Sequence, residues 1–347
     1  MMPEEWPIAA ASRERDAPAR AVGRGRLSTV RADFFLDSAD RLTEQERALM
    51  TAMLHCLVGD IAAEVRAGLP RGWLGANDDD AAIVEALTRA GLLDEAELMA
   101  LLLRRADEER IGTACRARGG RREARILQAL VSSDDGAVSA AAMALILARG
   151  RRRDRFGQCL VGFDDLSPRT ADRLVHGIAA ALRSDIVASR GAAAADAELS
   201  GTAADLVARH DHSRGLDALM RNLAAVLDQS GGLTDELLLA CAQDGEVGFV
   251  AEALGRRAGV AGCVAFDELL SGNPRRAMAL LRMAAVSRDL SAGLLASVGD
   301  LLGLSDPGAA IGVFDTMTAD EVQDAAAWLR AAPAYRSALE QLGTANG

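Results

Sequence analysis

The sequence predicts an all-α protein built from stacked antiparallel helix pairs, as a HEAT-like α-solenoid or a compact helical-repeat array. Aromatic residues make up only 3% of the chain and half of its residues are apolar, a composition that favours helices over sheets. Apolar residues recur at helical spacing, for example at Leu98, Leu101 and Leu102. Helix-start signals separate these stripes at short intervals, which indicates many short helices.

Two kinds of start signal support this interpretation. Capping boxes, in which a side-chain oxygen accepts a backbone N–H and an acid three residues later accepts one in return, are predicted for Thr43 with Glu46, Asp94 with Glu97, and Thr318 with Glu321. A capping residue precedes a proline at Ser167, Asn273 and Asp306. A helix with one apolar stripe cannot bury that stripe alone, so the helices are expected to stack.

The predicted organisation has four parts. Residues 1–28 carry three prolines and mixed charges and are expected to form a flexible tail. A helical-repeat domain is expected over 29–303, C-terminal helices over 304–342, and a frayed end over 343–347. Roughly fourteen to sixteen helices of about 10–18 residues fit this length.

Several segments together resemble a known bacterial family. They are residues 92–98, 126–133, 144–157 (ALILARGRRRDRFG), 165–167 and 237–259 (LLLACAQDGEVGFVAEALGRRAG). This pattern is similar to that of domain of unknown function 2336, and the resemblance covers roughly residues 30 to 300. It implies a HEAT-like helical fold in the cytoplasm and carries over no catalytic residue.

The composition excludes several enzyme classes. Lysine is absent, so all 39 basic residues are arginine. P-loop nucleotide hydrolases, protein kinases and pyridoxal-phosphate enzymes each need a lysine and are therefore excluded in their usual form. Four histidines and one tyrosine leave few groups for acid–base catalysis. We accordingly expect no catalytic residues and no cofactor.

The cysteines and the apolar runs indicate a cytoplasmic protein. The five cysteines are scattered and form no Cys-x-x-Cys motif, which argues against a zinc ribbon and favours small core residues in a reducing compartment. No secretory signal is visible at the N-terminus. The apolar run at 140–148 is too short to span a bilayer, so no membrane interaction is expected.

Charge is distributed unevenly along the chain, whose net charge is −11. Residues 104–155 contain 13 arginines and 7 acidic residues, whereas residues 32–103 contain 5 arginines and 14 acidic residues. We call residues 116–155 the arginine band. Its arginines form two clusters about 30 residues apart: Arg116, Arg118, Arg121, Arg122 and Arg125, then Arg149, Arg151, Arg152, Arg153 and Arg155.

The arginine band has two interpretations. If the clusters lie on neighbouring helical units, they form an electropositive patch that binds carboxylate or phosphate groups of a partner. In that case Arg121, Arg122, Arg151, Arg152 and Arg153 are expected to contribute most of the binding energy. Alternatively, the cluster at 149–153 complements a helix C-terminus or pairs with acids of the chain itself, such as those at 78–80.

Two short segments could hold a metal, but each has a simpler explanation. His210 and His212 flank Asp211, yet a spacing of two is not the usual zinc spacing on a helix, and Asp211 or Ser213 is expected to cap the following helix. The acids at 78–80 are expected to lie in the first turn of a helix and to complement its dipole. No metal site is therefore predicted.

The function predicted from the sequence is that of a non-catalytic, cytoplasmic interaction or regulatory scaffold that binds an unidentified protein. A nucleic-acid-binding helical repeat that uses the arginine band is the alternative. It is less favoured because the overall charge is negative and no base-stacking aromatic residues are interleaved with the arginines. An enzyme that uses carboxylates, arginines and a histidine is a third possibility.

Overall fold

The computed structural model describes residues 43–73, 79–119 and 125–345. Over these residues the chain is helical, and its one extended pairing is an isolated bridge between Arg153 and Cys159. The prediction of an all-α fold is confirmed. The predicted tail at 1–28 lies outside the described residues.

Seventeen α-helices occupy the described ranges, with lengths from 6 to 25 residues. In chain order they are α1 (Glu44–Gly68), α2 (Asp80–Arg89), α3 (Ala96–Arg118), α4 (Ile126–Val131), α5 (Gly136–Arg151), α6 (Pro168–Ala181), α7 (Arg183–Arg190), α8 (Ala192–Ala208), α9 (Leu216–Gln229), α10 (Asp235–Gln243), α11 (Val247–Ala258), α12 (Gly262–Leu269), α13 (Pro274–Met283), α14 (Arg288–Val298), α15 (Pro307–Thr316), α16 (Ala319–Arg330) and α17 (Pro333–Ala345). Two 3₁₀ helices, Phe163–Asp165 and His212–Arg214, precede α6 and α9.

Most of the predicted helix starts are present. The capping boxes at Thr43 and Thr318 form with the glutamate three residues later, and Ser167, Asn273 and Asp306 cap helices that begin with proline. These side chains satisfy backbone N–H groups that have no partner within the helix. The local sequence therefore sets where these helices begin.

The predicted capping box at Asp94 is wrong. Helix α3 follows Glu95, which makes no side-chain capping bond. The reason is that Glu97, the acid expected to complete the box, accepts hydrogen bonds from Ser167 Oγ (2.6 Å) and Thr170 Oγ1 (3.2 Å). Its carboxylate joins the start of α6 to α3, a tertiary contact that no local pattern encodes.

The apolar side chains form two cores, each drawn from separate stretches of chain. The first core uses residues between 50 and 106 and between 161 and 206. The second uses residues between 111 and 148 and between 216 and 317, and residues of α15 and α16 pack in or against it. Helix α3 contributes Leu98 and Leu102 to the first core and Ile111 and Cys115 to the second. It therefore joins the two cores into one body.

The packing does not simply follow chain order. Helix α1 packs against α6 and α8, α5 against α9, and α10 against α14, in addition to contacts between successive helices. A regular solenoid, in which each unit contacts only its neighbours, stays a prediction.

The cysteines only partly follow the prediction of core residues. Cys115 and Cys241 are buried and Cys159 is partly buried, but Cys56 and Cys263 are exposed. The prediction is wrong for these last two, because Cys56 faces away from the core on α1 and Cys263 lies in the first turn of α12.

Helix α1 is long and apolar enough to cross a membrane by length and composition alone. The expectation that no segment spans a membrane rested on the shorter run at 140–148 and did not consider this helix. The side chains of Met50, Leu57, Ile61 and Val65 pack in the first core. A core helix of a soluble protein passes the same length and composition criteria, so α1 is weak support for a membrane span.

Candidate functional site

The second arginine cluster divides into side chains that point inward and side chains that point outward. Arg149 and Arg152 continue the buried stripe of Val138, Ala141 and Leu145 along α5, and both are partly buried. They lie three residues apart and so share a helix face. Arg151, between them, is exposed. Helical phase therefore separates neighbouring arginines.

The inward-pointing arginines pair with acids of the same chain. Arg152 Nε donates to Asp165 Oδ2 at 2.6 Å, and Arg149 pairs with Glu246 before α11. Arg153 follows α5 and donates through Nη2 to Glu109 Oε2 at 2.9 Å. Three separate elements are thus tied to the C-terminal end of α5.

The suggested acid partners at 78–80 are wrong for these arginines. Asp79 caps α2 by accepting from the Ala82 N–H, and Asp80 pairs with Arg66 at 2.7 Å. Asp78 lies outside the described residues. Both described acids serve the start of α2, in agreement with the expected dipole arrangement.

The two arginine clusters meet in one small cleft of about 80 Å³. Arg116 of the first cluster lines it together with Arg149, Arg152 and Arg153 of the second. Glu108, Glu109, Glu246 and the buried Arg105 also line it. Because its arginines are paired with carboxylates, the cleft is lined by an internal ion-pair network that joins α3, α5 and α11.

A second set of buried charges continues this network along α3. Arg104 and Arg105 donate to the two oxygens of Asp217, at 2.8 and 2.5 Å, and Arg105 also bonds Glu108 at 2.7 Å. Burial alone would raise the pKa of Asp217, but the two guanidinium groups hold it well below its usual range. This contact could not be predicted from local sequence patterns, because its partners lie more than 100 residues apart.

The pKa of Glu252 on α11 is shifted in the opposite direction to that of Asp217. Its side chain is buried, and its nearest guanidinium, that of the solvent-exposed Arg221, lies 3.6 Å away. Burial raises the pKa of Glu252 to about 7, although Arg221 opposes the shift. A buried carboxylate without a close, buried arginine therefore holds its proton near neutral pH.

The remaining arginines of the band face solvent. Arg118 pairs with Asp300 at 3.0 Å on the surface. Over the described ranges, the side chains of Arg125 and Arg151 make no ion pair, and Arg155 lies over the ring of Phe156 at 4.7 Å. Arg121 and Arg122, two of the expected main contributors, lie outside the described residues.

A tight hairpin over residues 153–159 follows α5. The bridge between Arg153 and Cys159 closes its base, and Asp154 Oδ1 accepts the N–H groups of Phe156 and Gln158, both at 2.8 Å. Gly157 has a φ of +80°, a conformation that glycine adopts without strain. Since Arg153 also holds Glu109 on α3, the hairpin is fixed at both its base and its turn.

The tip of this hairpin exposes a large apolar side chain. Phe156 is 75% exposed beside the Arg155 guanidinium. No aromatic residue is interleaved with the arginines, as the sequence indicated, but Phe156 directly follows the last of them. Asp154 and Gly157 are the first and last residues of a typical β-turn, so the local sequence does contain a signal for the turn that exposes Phe156.

A groove of about 380 Å³ lies beside the hairpin. One wall is formed by Phe156, Gly157, Gln158 and Cys159, and helices α1 and α3 supply the others, with the lining side chains Gln45, Glu46, Ala48, Leu49, Ala52, Ala106, Glu109, Arg110 and Thr113. Burial raises the pKa of Cys159 to about 11, so its thiol is protonated at neutral pH. The groove is thus a largely apolar surface without an activated nucleophile.

The outer face of α5 is also apolar. Met143 and Leu147 are 42% and 53% exposed. The sequence carried a signal for this face, because the run at 140–148 is apolar on all sides, whereas a surface helix normally has a polar outer face. The sequence-based expectation for this run concerned only its length relative to a bilayer, and its exposed apolar face was not predicted.

The segment 210–212 follows the capping prediction. Asp211 caps the 3₁₀ helix His212–Arg214 by accepting from Ser213. His212 Nδ1 lies 2.9 Å from the Leu166 carbonyl oxygen, and the His210 ring packs edge-on against Phe163. No group of three potential metal ligands occurs over residues 43–73, 79–119 and 125–345.

The family model described as an uncharacterised protein conserved in bacteria, DUF2336, matches residues 117–325. The chain belongs to this family. The resemblance stated from the sequence is thereby confirmed. No curated protein and no solved structure matches the chain.

The part of the chain matched to DUF2336 contains all of α5 and the hairpin. Helices α1 and α2 and nearly all of α3 precede it. The groove beside Phe156 is therefore built jointly, with one wall from the DUF2336 region and the others from the helices before it.

Proposed function

We propose that this DUF2336 protein is a non-catalytic cytoplasmic scaffold that binds a protein partner at the tip of the 153–159 hairpin. The observation that carries the proposal is the exposed Phe156 ring, held out by a fixed turn beside Arg155. Exposed aromatic and arginine side chains are the residues that most often dominate protein interfaces.

The rigidity of the hairpin favours binding. A flexible loop loses conformational freedom when it binds, and this loss weakens the complex. Here Asp154 fixes the backbone on both sides of the tip, and Arg153 holds the hairpin against α3. Phe156 therefore meets a partner with little further ordering.

The surroundings of Phe156 indicate the chemistry of the partner. The groove offers Leu49, Ala52 and Ala106 to an apolar side chain. Arg155 lies over the Phe156 ring and has no acid partner in the described part of the chain. A protein segment that carries an apolar residue next to an acidic one fits both features.

In this proposal the arginines expected to bind directly have different roles. Arg152 and Arg153 position the end of α5 and the hairpin through Asp165 and Glu109. Arg155, at the tip, is the arginine that contacts the partner. Nucleic acid is the second candidate, because an arginine beside an exposed aromatic ring also suits base stacking.

The test is affinity purification of the tagged protein from the cells that express it, with half of each sample treated with nuclease. Phe156→Ala and Arg155→Glu are compared with wild type. Arg169→Glu is the matched control, since it reverses an exposed arginine that lies on α6, outside the hairpin.

The proposal expects one protein partner that survives nuclease treatment and is retained by Arg169→Glu. Recovery with Phe156→Ala and Arg155→Glu is expected to fall at least about tenfold, the effect of an interface hot spot. Equal recovery of the partner with wild type and with all three variants contradicts the hairpin site. Loss of the partner with nuclease favours the nucleic-acid alternative.

A further inference from the structure

The outer face of α5 is an apolar stripe with opposite charges at its two ends. Ala140, Met143 and Leu147 are exposed at i, i+3 and i+7 spacing, which places them on one side of the helix. Two exposed glycines, Gly136 and Gly150, lie near the ends of the helix. The stripe therefore combines large apolar side chains at its centre with positions where another backbone can approach closely.

The charges at the ends have no partners of opposite sign in the described ranges. Asp134 and Asp135 are exposed just before the first turn, and Asp135 uses Oδ1 to cap the helix. Arg151 is exposed in the last turn. The stripe is thus negative at its N-terminal end and positive at its C-terminal end.

We infer that a second copy of this chain covers this face, with the two α5 helices packed antiparallel about a two-fold axis near Met143. Asp135 and Arg151 are sixteen residues apart, about 24 Å along a helix, and their midpoint is residue 143. The axis therefore brings the acidic end of each α5 opposite Arg151 of the other copy. Such an interface is self-complementary, as a two-fold contact requires.

Charge complementarity distinguishes this arrangement from the alternatives. A parallel pairing would set Arg151 against Arg151 and acids against acids, which is unfavourable. A uniformly acidic helix would meet Asp134 and Asp135, and a uniformly basic helix would meet Arg151. An antiparallel copy of α5 matches both ends and also opposes the two helix dipoles.

The interface is expected to be weak. One helix face buries less than the roughly 800 Å² per partner of a standard stable interface. The association is therefore expected to depend on protein concentration. It involves a different surface from the hairpin, so it does not depend on the proposed function.

The test is sedimentation velocity of the full chain over a wide concentration series at low salt. The variants Leu147→Asp and Met143→Asp place a charge in the centre of the stripe, and both positions are exposed, so the fold is expected to persist. Far-UV circular dichroism and thermal unfolding check the fold. Arg169→Glu on α6 serves as the charge-reversal control.

A charge swap tests the antiparallel register. Arg151→Glu or Asp134→Arg alone creates two like-charge contacts in the homodimer and is expected to weaken it about threefold to tenfold. An equimolar mixture of the two variants forms heterodimers with two opposite-charge contacts. The mixture is therefore expected to dimerise more tightly than either variant alone.

A concentration-dependent wild-type dimer that is lost in Leu147→Asp, kept in Arg169→Glu and restored in the mixture supports the inference. A wild type that stays monomeric throughout the series overturns it. So does a dimer unaffected by Leu147→Asp, or a mixture no tighter than its separate components.

Discussion

Two regions at the end of α5 contain arginines that are adjacent in sequence but differ in environment. In the cleft between α3, α5 and α11, Arg149, Arg152 and Arg153 are satisfied by acids of the same chain. On the surface, Arg151 and Arg155 face solvent. The difference shows that a cluster of arginines in sequence is not necessarily a binding patch, because helical phase and distant acids decide which side chains are available.

The largest expected effect comes from breaking the interior network. Arg105→Met removes a buried guanidinium, leaves the partly buried Asp217 and Glu108 with less compensating charge, and is expected to lower the free energy of unfolding by about 3–5 kcal/mol. Arg151→Met at the surface is expected to change it by less than about 0.5 kcal/mol. Urea unfolding of both variants measures the contrast, and similar losses from both would contradict it.

A second test compares the carboxylates of Glu252 and Asp217, whose pKa values are shifted in opposite directions. The pKa of Glu252 is raised to about 7 from 4.5, so the folded protein binds this proton more tightly than the unfolded chain. The resulting stabilisation is complete below about pH 4.5 and is lost as the pH rises through about 7. Glu252→Gln is therefore expected to unfold with a free energy higher than wild type by up to about 3 kcal/mol at pH 8.

Urea unfolding of wild type and Glu252→Gln from pH 5 to 8 checks this prediction, because the difference between them should grow with pH. The matched carboxylate is Asp217, whose pKa is lowered instead of raised, so its effect on stability depends on pH in the opposite way. Its stabilisation is present above the unfolded-state pKa and is lost only in acid. Parallel pH curves for wild type and Glu252→Gln would show that Glu252 does not titrate as described.

Among the variants that remove a contact of the folded chain, the smallest expected effect on stability concerns the hairpin. Asp154→Ala removes the acceptor for two N–H groups near the tip, both of them at the surface. We expect a change in unfolding free energy below about 1 kcal/mol, but faster amide exchange at Phe156 and Gln158. Partner affinity is expected to fall about threefold to tenfold, because the tip is no longer fixed before binding.

Arg153→Met sharpens this prediction, since it releases the hairpin from Glu109 and removes the donor to the Gly157 carbonyl, but leaves the Asp154 carboxylate in place. It is expected to weaken partner binding in the same direction as Asp154→Ala. Unchanged amide exchange together with full binding in both variants would show that the fixed turn is not needed.

The sequence was sufficient for the fold class and for most helix starts, because caps such as Thr43 and Thr318 are local signals. The inward direction of Arg149 and Arg152 was also readable, since both continue the apolar stripe of α5. The identities of their acid partners were not. Glu246, the partner of Arg149, lies far away along the chain, and only the packing of α11 brings it close. Asp165, the partner of Arg152, is 13 residues away but lies beyond the hairpin.

The surface was predicted less well than the interior. Phe156 follows a typical turn pattern, and the outer face of α5 is apolar where polar residues are expected. Both features can be recognised in the sequence, but the arginines beside them suggest a binding patch more strongly. The groove could not be foreseen, because its other walls come from α1 and α3, about 100 and about 50 residues before the hairpin.

The most direct test of the central claim is site-specific photo-cross-linking in cells, with benzoylphenylalanine in place of Phe156 and, as the control, in place of Arg169. The account predicts one discrete protein adduct from position 156 and none from position 169. Absence of an adduct at position 156, or the same adduct from both positions, would contradict a partner-binding role for the hairpin.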